Sequence, residues 1–210
     1  MRDSYFVIGT GTDVGKTYVT KLILKSLKDK YKSVGYYKAA LSGFTKGESD
    51  LDIAIDVLGE EFTKVSYIYI NPFSPHLAAK VENNLPELKK IKNDYEEFAK
   101  NLDAVVSEGS GGIICPIRDD KDEEIMLEDI IKITNGKVIL VTNSGLGAIN
   151  GTALTAHYCK SKGINIYGIV MNFFDEKNII HVDNRMQIEK LTGIKVLATI
   201  PRNGFSFIAI

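Results

Sequence analysis

The 210-residue sequence has few cysteines, no tryptophan and no long apolar run, and each scarcity argues against a class of protein. Its two cysteines, Cys115 and Cys159, show no C-x-x-C spacing, which argues against a disulfide scaffold or a redox motif and favours a reducing cytoplasm. No apolar, cleavable segment opens the chain and no run of about 18 apolar residues occurs, so we expect neither export nor a membrane span.

Charge excess and histidine clusters are also missing. The 26 basic and 27 acidic side chains give a net charge of −1, without the basic excess that nucleic acid or an anionic membrane requires. His76, His157 and His181 lack the spacing of zinc ligands. A small-molecule partner is therefore favoured, and 44% hydrophobic content predicts a single domain over residues 1–210.

The strongest motif is the segment 9–17, GTGTDVGKT, which lies between an apolar run and a helix-periodic stretch. Its glycines let the backbone wrap with its amides inward, and the helix N-terminus adds partial positive charge, so the segment predicts a phosphate-binding loop. Lys16 would reach the β- and γ-phosphates, and Thr17 would ligate magnesium. The strict pattern G-x-x-x-x-G-K-[ST] requires glycine where Thr10 stands, so an ordinary strand-to-helix turn is the competing interpretation.

Strand-like and helix-like segments alternate along the chain. Helices are predicted after the phosphate loop, from about residue 74, and over residues 49–58, 94–101, 126–134, 149–162 and 183–192. Strands are predicted over residues 5–8, 33–37, 104–107, 137–141, 166–171 and 196–200. This alternation predicts an α/β fold of the P-loop NTPase type, with an open, mostly parallel sheet and helices on both faces. Ligands of such sheets bind beyond the carboxyl ends of the strands, where the pattern gathers Lys16, Lys38, Glu108, Asn143 and Asn172.

Phosphoryl transfer needs a second cation and metal-binding oxygens beside the loop. Lys38, placed between a predicted strand and the small-residue loop 39–43, is the best candidate cation, with an ordinary solvated lysine as the alternative. Glu108 ends an apolar strand, where an unpaired carboxylate would be costly, so it joins Thr17 as a candidate magnesium ligand. Asp50 is a further candidate, although an N-cap role explains it almost as well. Physics alone assigns no role to Asp13, and the acidic run 119–124 is expected to be a solvated loop.

With these residues placed, the chain resembles the dethiobiotin synthetase family from Tyr5 to about Asn203. The resemblance is carried by the phosphate loop with Thr10 and Asp13, Lys38 with Ser42, Ser49-Asp50, Asn71-Pro72 with Ser74-Pro75-His76, the segments 108–112 (EGSGG) and 147–150 (GAIN), Asn172 and Ile200-Pro201. It implies an ATP- and magnesium-dependent cyclo-ligase of biotin synthesis. Such an enzyme closes a ureido ring on 7,8-diaminopelargonate (7,8-diaminononanoate) and CO2 or bicarbonate, through a carbamate and a phosphorylated mixed anhydride.

The resemblance also implies a role for each site residue. Lys16 and Lys38 would stabilise the transferred phosphoryl group, while the metal would be held by Thr17, Asp50 and Glu108. Nucleotide contacts would come from Gly11, Thr12, Asp13, Val14, Gly15, Lys16 and Thr17, and from Asn172, Pro201, Arg202 and Asn203 around the adenine. Substrate contacts would come from Thr12, Lys38, Ser42, Gly111, Gly112, Gly147 and Asn150.

The family is a homodimer, in which the loop at 147–150 would hold the substrate carboxylate across the interface. The competing interpretation of Asn150 is an N-cap of helix 149–162. The chain departs from the family pattern in a short loop at 71–74 and in ending at Ile210, soon after the segment expected to cover adenine.

Two other classes of protein share the phosphate loop. A partitioning or positioning ATPase is a nucleotide switch that places a lysine early in this loop, where the present chain has Gly11. A small-molecule kinase would not predict Lys38 with Ser42, nor the glycine-rich segment after Glu108.

Overall fold

A computed structural model describes residues 2–202 and 204, and these residues form nine strands and seven α-helices. The strands are β1 (Asp3–Gly9), β2 (Val34–Leu41), β3 (Thr63–Ile68), β4 (Ala104–Glu108), β5 (Pro116–Asp119), β6 (Glu124–Met126), β7 (Lys137–Asn143), β8 (Ile166–Asn172) and β9 (Val196–Ile200). Seven of them form a parallel sheet in the order β3-β2-β4-β1-β7-β8-β9, and β5 pairs with β6 in a separate antiparallel hairpin.

The helices connect these strands in the alternation that the sequence predicts. They are α1 (Lys16–Lys28), α2 (Asp50–Leu58), α3 (Pro75–Val81), α4 (Leu88–Ala99), α5 (Leu127–Thr134), α6 (Ala148–Ser161) and α7 (Ile179–Thr192). Within the described part of the chain, each helix is too short or too polar to cross a bilayer.

Two hydrophobic clusters, one on each face of the sheet, form the core. Because side chains alternate along a strand, Tyr5 and Val7 of β1 join one cluster, while Phe6 and Ile8 join the other. Helices α1 and α2 pack on the first face, and α3 to α7 contribute to the second. The prediction of a parallel α/β sheet with helices on both faces is confirmed.

The end of β2 and the strand beside it differ from the sequence prediction. Strand β3 was not predicted, because it is an edge strand whose residues are mostly half-buried and include the charged Lys64. Its pairing with β2 extends β2 to Leu41, so that Lys38 lies inside the strand and Ala39 and Ala40 are strand residues, not loop. The prediction that Lys38 follows the end of its strand was therefore wrong.

The acidic run 119–124 contributes the last residue of β5, the turn of the β5–β6 hairpin and the first residue of β6, and four of its six residues are exposed. The turn is thus the exposed loop that the sequence predicts, whereas the two short strands beside it were not predicted. Arg118, only 9% exposed, pairs with Asp120 at 2.6 Å and with Glu123 at 2.8 Å. Glu123 also accepts the backbone amide of Leu88 at 3.3 Å, at the start of α4. This contact between distant segments helps α4 begin at residue 88, whereas the sequence predicts a helix over 94–101. Helix α7 also begins before its predicted range of 183–192, because Asn178 is its N-cap.

Candidate active site

The phosphate loop connects β1 to α1 in a backbone conformation that needs glycine. Gly15 is the N-cap of α1 with φ of 83°, and a Cβ placed there would lie 2.1 Å from Nδ2 of Asn172. Asp13 also has a positive φ, 59°, which is uncommon for a residue with a side chain. The Lys16 ammonium donates to the Gly11 carbonyl at 3.0 Å and so closes the loop on itself.

Lys38 lies at the centre of a buried ionic cluster formed with two carboxylates. Its Nζ is 2.5 Å from Oδ2 of Asp50 and 3.1 Å from Oε1 of Glu108. The Thr17 hydroxyl contacts the same two groups, at 2.7 Å from Oδ1 of Asp50 and 3.0 Å from Oε1 of Glu108. Residues from α1, β2, α2 and β4 thus converge beside the phosphate loop.

The N-cap explanation for Asp50 does not apply, because Ser49 holds that position. The Asp52 amide donates to Oγ of Ser49 at 3.3 Å, and the Ser49 amide donates to Oδ2 of Asp52 at 3.0 Å, which completes a capping box. The Asp50 carboxylate is therefore directed at Thr17 and Lys38, without a capping role.

Burial and charge oppose each other in this cluster. Burial alone would lower the pKa of Lys38, but Glu108 and Asp50 outweigh it, so the pKa of this lysine is raised. Burial would raise the pKa of Asp50, but Lys38 outweighs it and the pKa is lowered. At Lys16 burial dominates over the attraction of Glu108, and the pKa is lowered. The Lys38–Asp50 pair is thus charged, and Lys16 is held in surroundings that disfavour its charge.

The oxygen atoms of this cluster fit a magnesium ion. Oε2 of Glu108 is buried and has no hydrogen-bond partner in the described residues, and the whole side chain is only 1% exposed. Thr17, Asp50 and Glu108 together present a hydroxyl and carboxylate oxygens, the donors that magnesium prefers. No group of three or more histidine, cysteine, aspartate or glutamate side chains is suited to a metal within the described ranges.

A cavity of about 470 Å³ opens over this cluster and is lined by all of the predicted catalytic and metal residues. Among the residues lining it are Thr12, Asp13, Gly15, Lys16, Thr17, Lys38, Ser42, Asp50, Glu108 and Gly111. The buried Oγ of Ser42 has no partner in the described structure. Gly112 lies behind the cavity, where its Cβ position would be 3.7 Å from Cα of Gly11.

A second, larger cavity of about 930 Å³ begins on the other side of Asp13. Pro201 and Arg202 line it, and the Arg202 guanidinium lies 5.2 Å from the centre of the Phe173 ring. Asn172 lies beneath the phosphate loop, only 1% exposed, and its Nδ2 donates to the Val14 carbonyl at 3.0 Å. Asn203, also predicted to border the adenine, lies outside the described residues.

The predicted carboxylate-binding segment lies at the start of α6. Gly147 is the N-cap of this helix with φ of 84°, and Asn150 is exposed in the first turn. Asn150 is therefore not the N-cap, which corrects that interpretation. Asn150 lines a separate cavity of about 560 Å³, so the structure does not bring it together with Lys38 within one chain.

Sequence reasoning assigned no role to several residues that line the smaller cavity. Pro72, Phe73, Ser74 and Pro75 form one wall, and Cys115 lies on another, where burial raises the pKa of its thiol to about 11. The carboxylate of Glu82 holds the 71–74 loop by accepting the backbone amide and the Nδ2 of Asn71, both at 2.8 Å. The two prolines and Ser74 mark this loop in the sequence, but no local pattern predicts which cavity it covers.

The fold and this cluster define a P-loop nucleoside triphosphate-binding protein. A family model described as an AAA domain matches residues 3–204. Solved structures with the same fold include the MinD cell division protein of Aquifex aeolicus, with a TM-score of 0.60 and 14% identity over 95% of this chain and 82% of that one. MinD of Pyrococcus horikoshii, in complex with Mg-ADP, has a TM-score of 0.59 and 16% identity over 96% of this chain and 82% of its own. These similarities show the fold alone.

Sequence similarity is far closer to another group. The ATP-dependent dethiobiotin synthetase of Brachyspira hyodysenteriae is 44% identical over 95% of this chain and 92% of its own length. That of Clostridium perfringens is also 44% identical, over 96% and 92%. The chain belongs to the ATP-dependent dethiobiotin synthetase family.

Proposed function

We propose that this protein closes the ureido ring of dethiobiotin from 7,8-diaminopelargonate, CO2 and ATP, as a step of biotin biosynthesis. The observation that carries the proposal is the cluster of Lys38, Asp50, Glu108 and Thr17 next to the phosphate loop. A phosphate loop binds a nucleotide through its backbone amides, Lys16 and Thr17, and needs no second lysine for binding alone. A second, fully buried lysine in the same cavity supplies charge for a group that receives the γ-phosphoryl.

The proposed reaction has three steps. One amine of the diamine attacks CO2, forming a C–N bond, and loses a proton to give a carbamate. A carbamate oxygen then takes the γ-phosphoryl group of ATP, and the bond to the leaving ADP oxygen breaks. The second amine attacks the carbamoyl carbon, the C–O bond to phosphate breaks, and the ring closes with release of phosphate.

The residues of the smaller cavity match the charges that develop in these steps. Lys16 and Lys38 stabilise negative charge on the transferred phosphoryl group. The unpartnered Ser42 hydroxyl and the backbone at Gly111 line this cavity and face the carbamate in this proposal, whereas Gly112 is not part of the lining. Magnesium held by Thr17, Asp50 and Glu108 would supply charge neutralisation for the β- and γ-phosphates. The larger cavity, lined by Pro201 and Arg202, accommodates the nucleoside in this proposal, whereas Asn172 lies beneath the phosphate loop and holds Val14.

A homodimer is part of the proposal, because Asn150 lies apart from Lys38. Four large apolar side chains on or next to helices α6 and α7 are exposed: Leu146 at 86%, Leu154 at 63%, Ile179 at 82% and Met186 at 57%. Helices α6 and α7, which carry three of these residues, pack side by side. A second copy of the chain covering this surface would bury these four side chains. In this proposal its own 147–150 segment would lie toward the Lys38 cavity of the first copy. Both cysteines are free thiols, which agrees with the proposed cytoplasmic location.

Product analysis separates this function from its alternatives. Incubation with ATP, magnesium, bicarbonate and the diamine should give dethiobiotin, ADP and phosphate in equal amounts. A nucleotide switch would release phosphate at the same rate without the diamine, and a small-molecule kinase would yield a stable phosphorylated product. Either of those results would refute the proposal.

Mixing inactive subunits tests the shared site. Lys38→Ala and Asn150→Ala homodimers should each have low activity, but a heterodimer contains one site with the native Lys38 of one chain and the native Asn150 of the other. Activity should therefore recover after subunit exchange. If verified exchange restores nothing, the carboxylate is held within one chain.

A further inference from the structure

Asn184 is a buried polar residue on a helix that is otherwise largely exposed. It is only 7% exposed, and it shares the buried side of α7 with Ile188. Its Nδ2 donates two hydrogen bonds, to the carbonyls of Ser144 and Gly145, each at 2.8 Å. A buried amide is stable only when its donors are satisfied, so α7 is fixed to the segment between β7 and α6 at this point.

The same segment is connected to the phosphate loop by further buried bonds. The Ser144 hydroxyl, fully buried, donates to the carbonyl of Asn172 at 2.7 Å. Asn172 in turn donates to the Val14 carbonyl at 3.0 Å, and its Oδ1 accepts the Phe173 amide at 3.0 Å. A continuous chain of hydrogen bonds therefore runs from Asn184 to the phosphate loop.

The Gly145 carbonyl accepts a second hydrogen bond besides the one from Asn184. It accepts the amide of Ala148 at 3.2 Å and so closes the turn that presents Gly147 and the first turn of α6. Asn184 is thus bonded to the turn that leads directly into the proposed carboxylate-binding segment 147–150.

We infer that Asn184 is a positioning residue that fixes the carboxylate-binding turn at 145–148 relative to the phosphate loop. This inference rests on the proposed function for the identity of the ligand, but not for the structural coupling itself. Removal of the two donated bonds should loosen the turn, weaken diamine binding and leave the nucleotide affinity nearly unchanged, because Asn172 still holds Val14.

The isosteric change Asn184→Asp tests this, with Asn178→Asp as the matched control. An aspartate at 184 directs a carboxylate at two carbonyl oxygens, whereas Asn178 only accepts a bond, from the Ile180 amide, which aspartate also accepts. We expect the diamine KM of Asn184→Asp to rise roughly tenfold, with the control unchanged. The ratio to wild-type KM should fall as the pH is lowered from about 8 to about 6, since a protonated, buried aspartic acid regains one donor. A purely structural role would lower the Tm without a pH-dependent KM ratio.

Hydrogen exchange provides a readout that needs no activity. Peptides covering 144–151 should exchange faster in Asn184→Asp than in wild type or Asn178→Asp, while peptides covering 14–19 should not. Unchanged exchange at 144–151 would overturn the inference, even if dethiobiotin is formed. If wild type forms no dethiobiotin but the exchange difference appears, the proposed function fails and the coupling stands. Asn184→Ser, neutral and hydroxyl-bearing, takes the KM and hydrogen-exchange tests, without the pH series, if the aspartate variant does not fold.

Discussion

Replacing Lys38 with methionine should destabilise the fold strongly, although methionine has a similar length and fits an apolar surrounding. The Lys38 side chain is 5% exposed, and its partners Glu108 and Asp50 are 1% and 29% exposed. Removing one partner from a buried ion pair leaves an uncompensated charge, which costs about 3–5 kcal/mol. Because Asp50 reaches water, we expect a loss near the lower end, about 3 kcal/mol. For a chain of this size, that corresponds to a Tm lower by about 6–12 °C.

The assay is thermal unfolding followed by circular dichroism, with two controls. Lys90→Met removes a pair of the same 2.5 Å length whose lysine is 47% exposed, and it should cost at most about 1 kcal/mol. The double variant Lys38→Met/Glu108→Gln should recover much of the lost stability, because the uncompensated charge is removed. Magnesium chloride should raise the Tm of Lys38→Met more than that of the double variant. If Lys38→Met and Lys90→Met lose the same stability, the buried cluster is not the ionic network that the distances describe.

Three further predictions concern single charges of the site. Lys16→Met should abolish turnover yet raise the Tm at pH 7. Burial lowers the pKa of Lys16, so at any pH below that lowered pKa the charge of this lysine costs folding stability. A lower Tm of the variant would contradict this. Glu108→Gln should weaken the magnesium dependence of turnover far more than Asp119→Asn, whose carboxylate is exposed, and equal magnesium titrations would remove Glu108 from the metal site. The stability difference between wild type and Asp50→Asn should be constant between the ordinary pKa of aspartate, 3.8, and that of lysine, 10.5. It should decline as the pH falls through the lowered pKa of Asp50 or rises through the raised pKa of Lys38, and a decline near neutral pH would refute the assignment.

Local patterns predicted the parts of the fold whose stability is local. The apolar spacing of Val19, Leu22, Ile23 and Leu27 predicted the buried side of α1, and all four side chains are buried. Strand β3 and the β5–β6 hairpin carry no such pattern, because they are stabilised by pairing and by Arg118 with partners on both sides of the turn. Lys38 was placed at the correct edge of the sheet but outside its strand, since the extension of β2 depends on β3.

The residues of the site also divide into those that a local sequence pattern marks and those that it does not. Lys16, Thr17 and Glu108 could be predicted because a motif or a strand end marks each one. Asn184 could not be predicted, because its partners are backbone carbonyls about 40 residues away and carbonyls have no residue identity. The wall formed by 72–75 was visible as a loop, but its position over Ser42 follows from the close approach of Pro72 to Gly43, where a Cβ would lie 3.1 Å from Cβ of Pro72.

The lysines of the cavity are each bound by oxygens of the chain itself. Lys38 is held by two carboxylates, and Lys16 by the Gly11 carbonyl, so two positive and two negative charges balance locally. This balance explains how a buried ionic site can fold in the absence of a nucleotide, since each of these charges already has a partner. The same balance favours entry of an anionic nucleotide together with a cation, because Asp50 and Glu108 add two negative charges beside the two lysines. The unpartnered oxygen of Glu108 faces this cluster and is available to a cation that arrives with the phosphates.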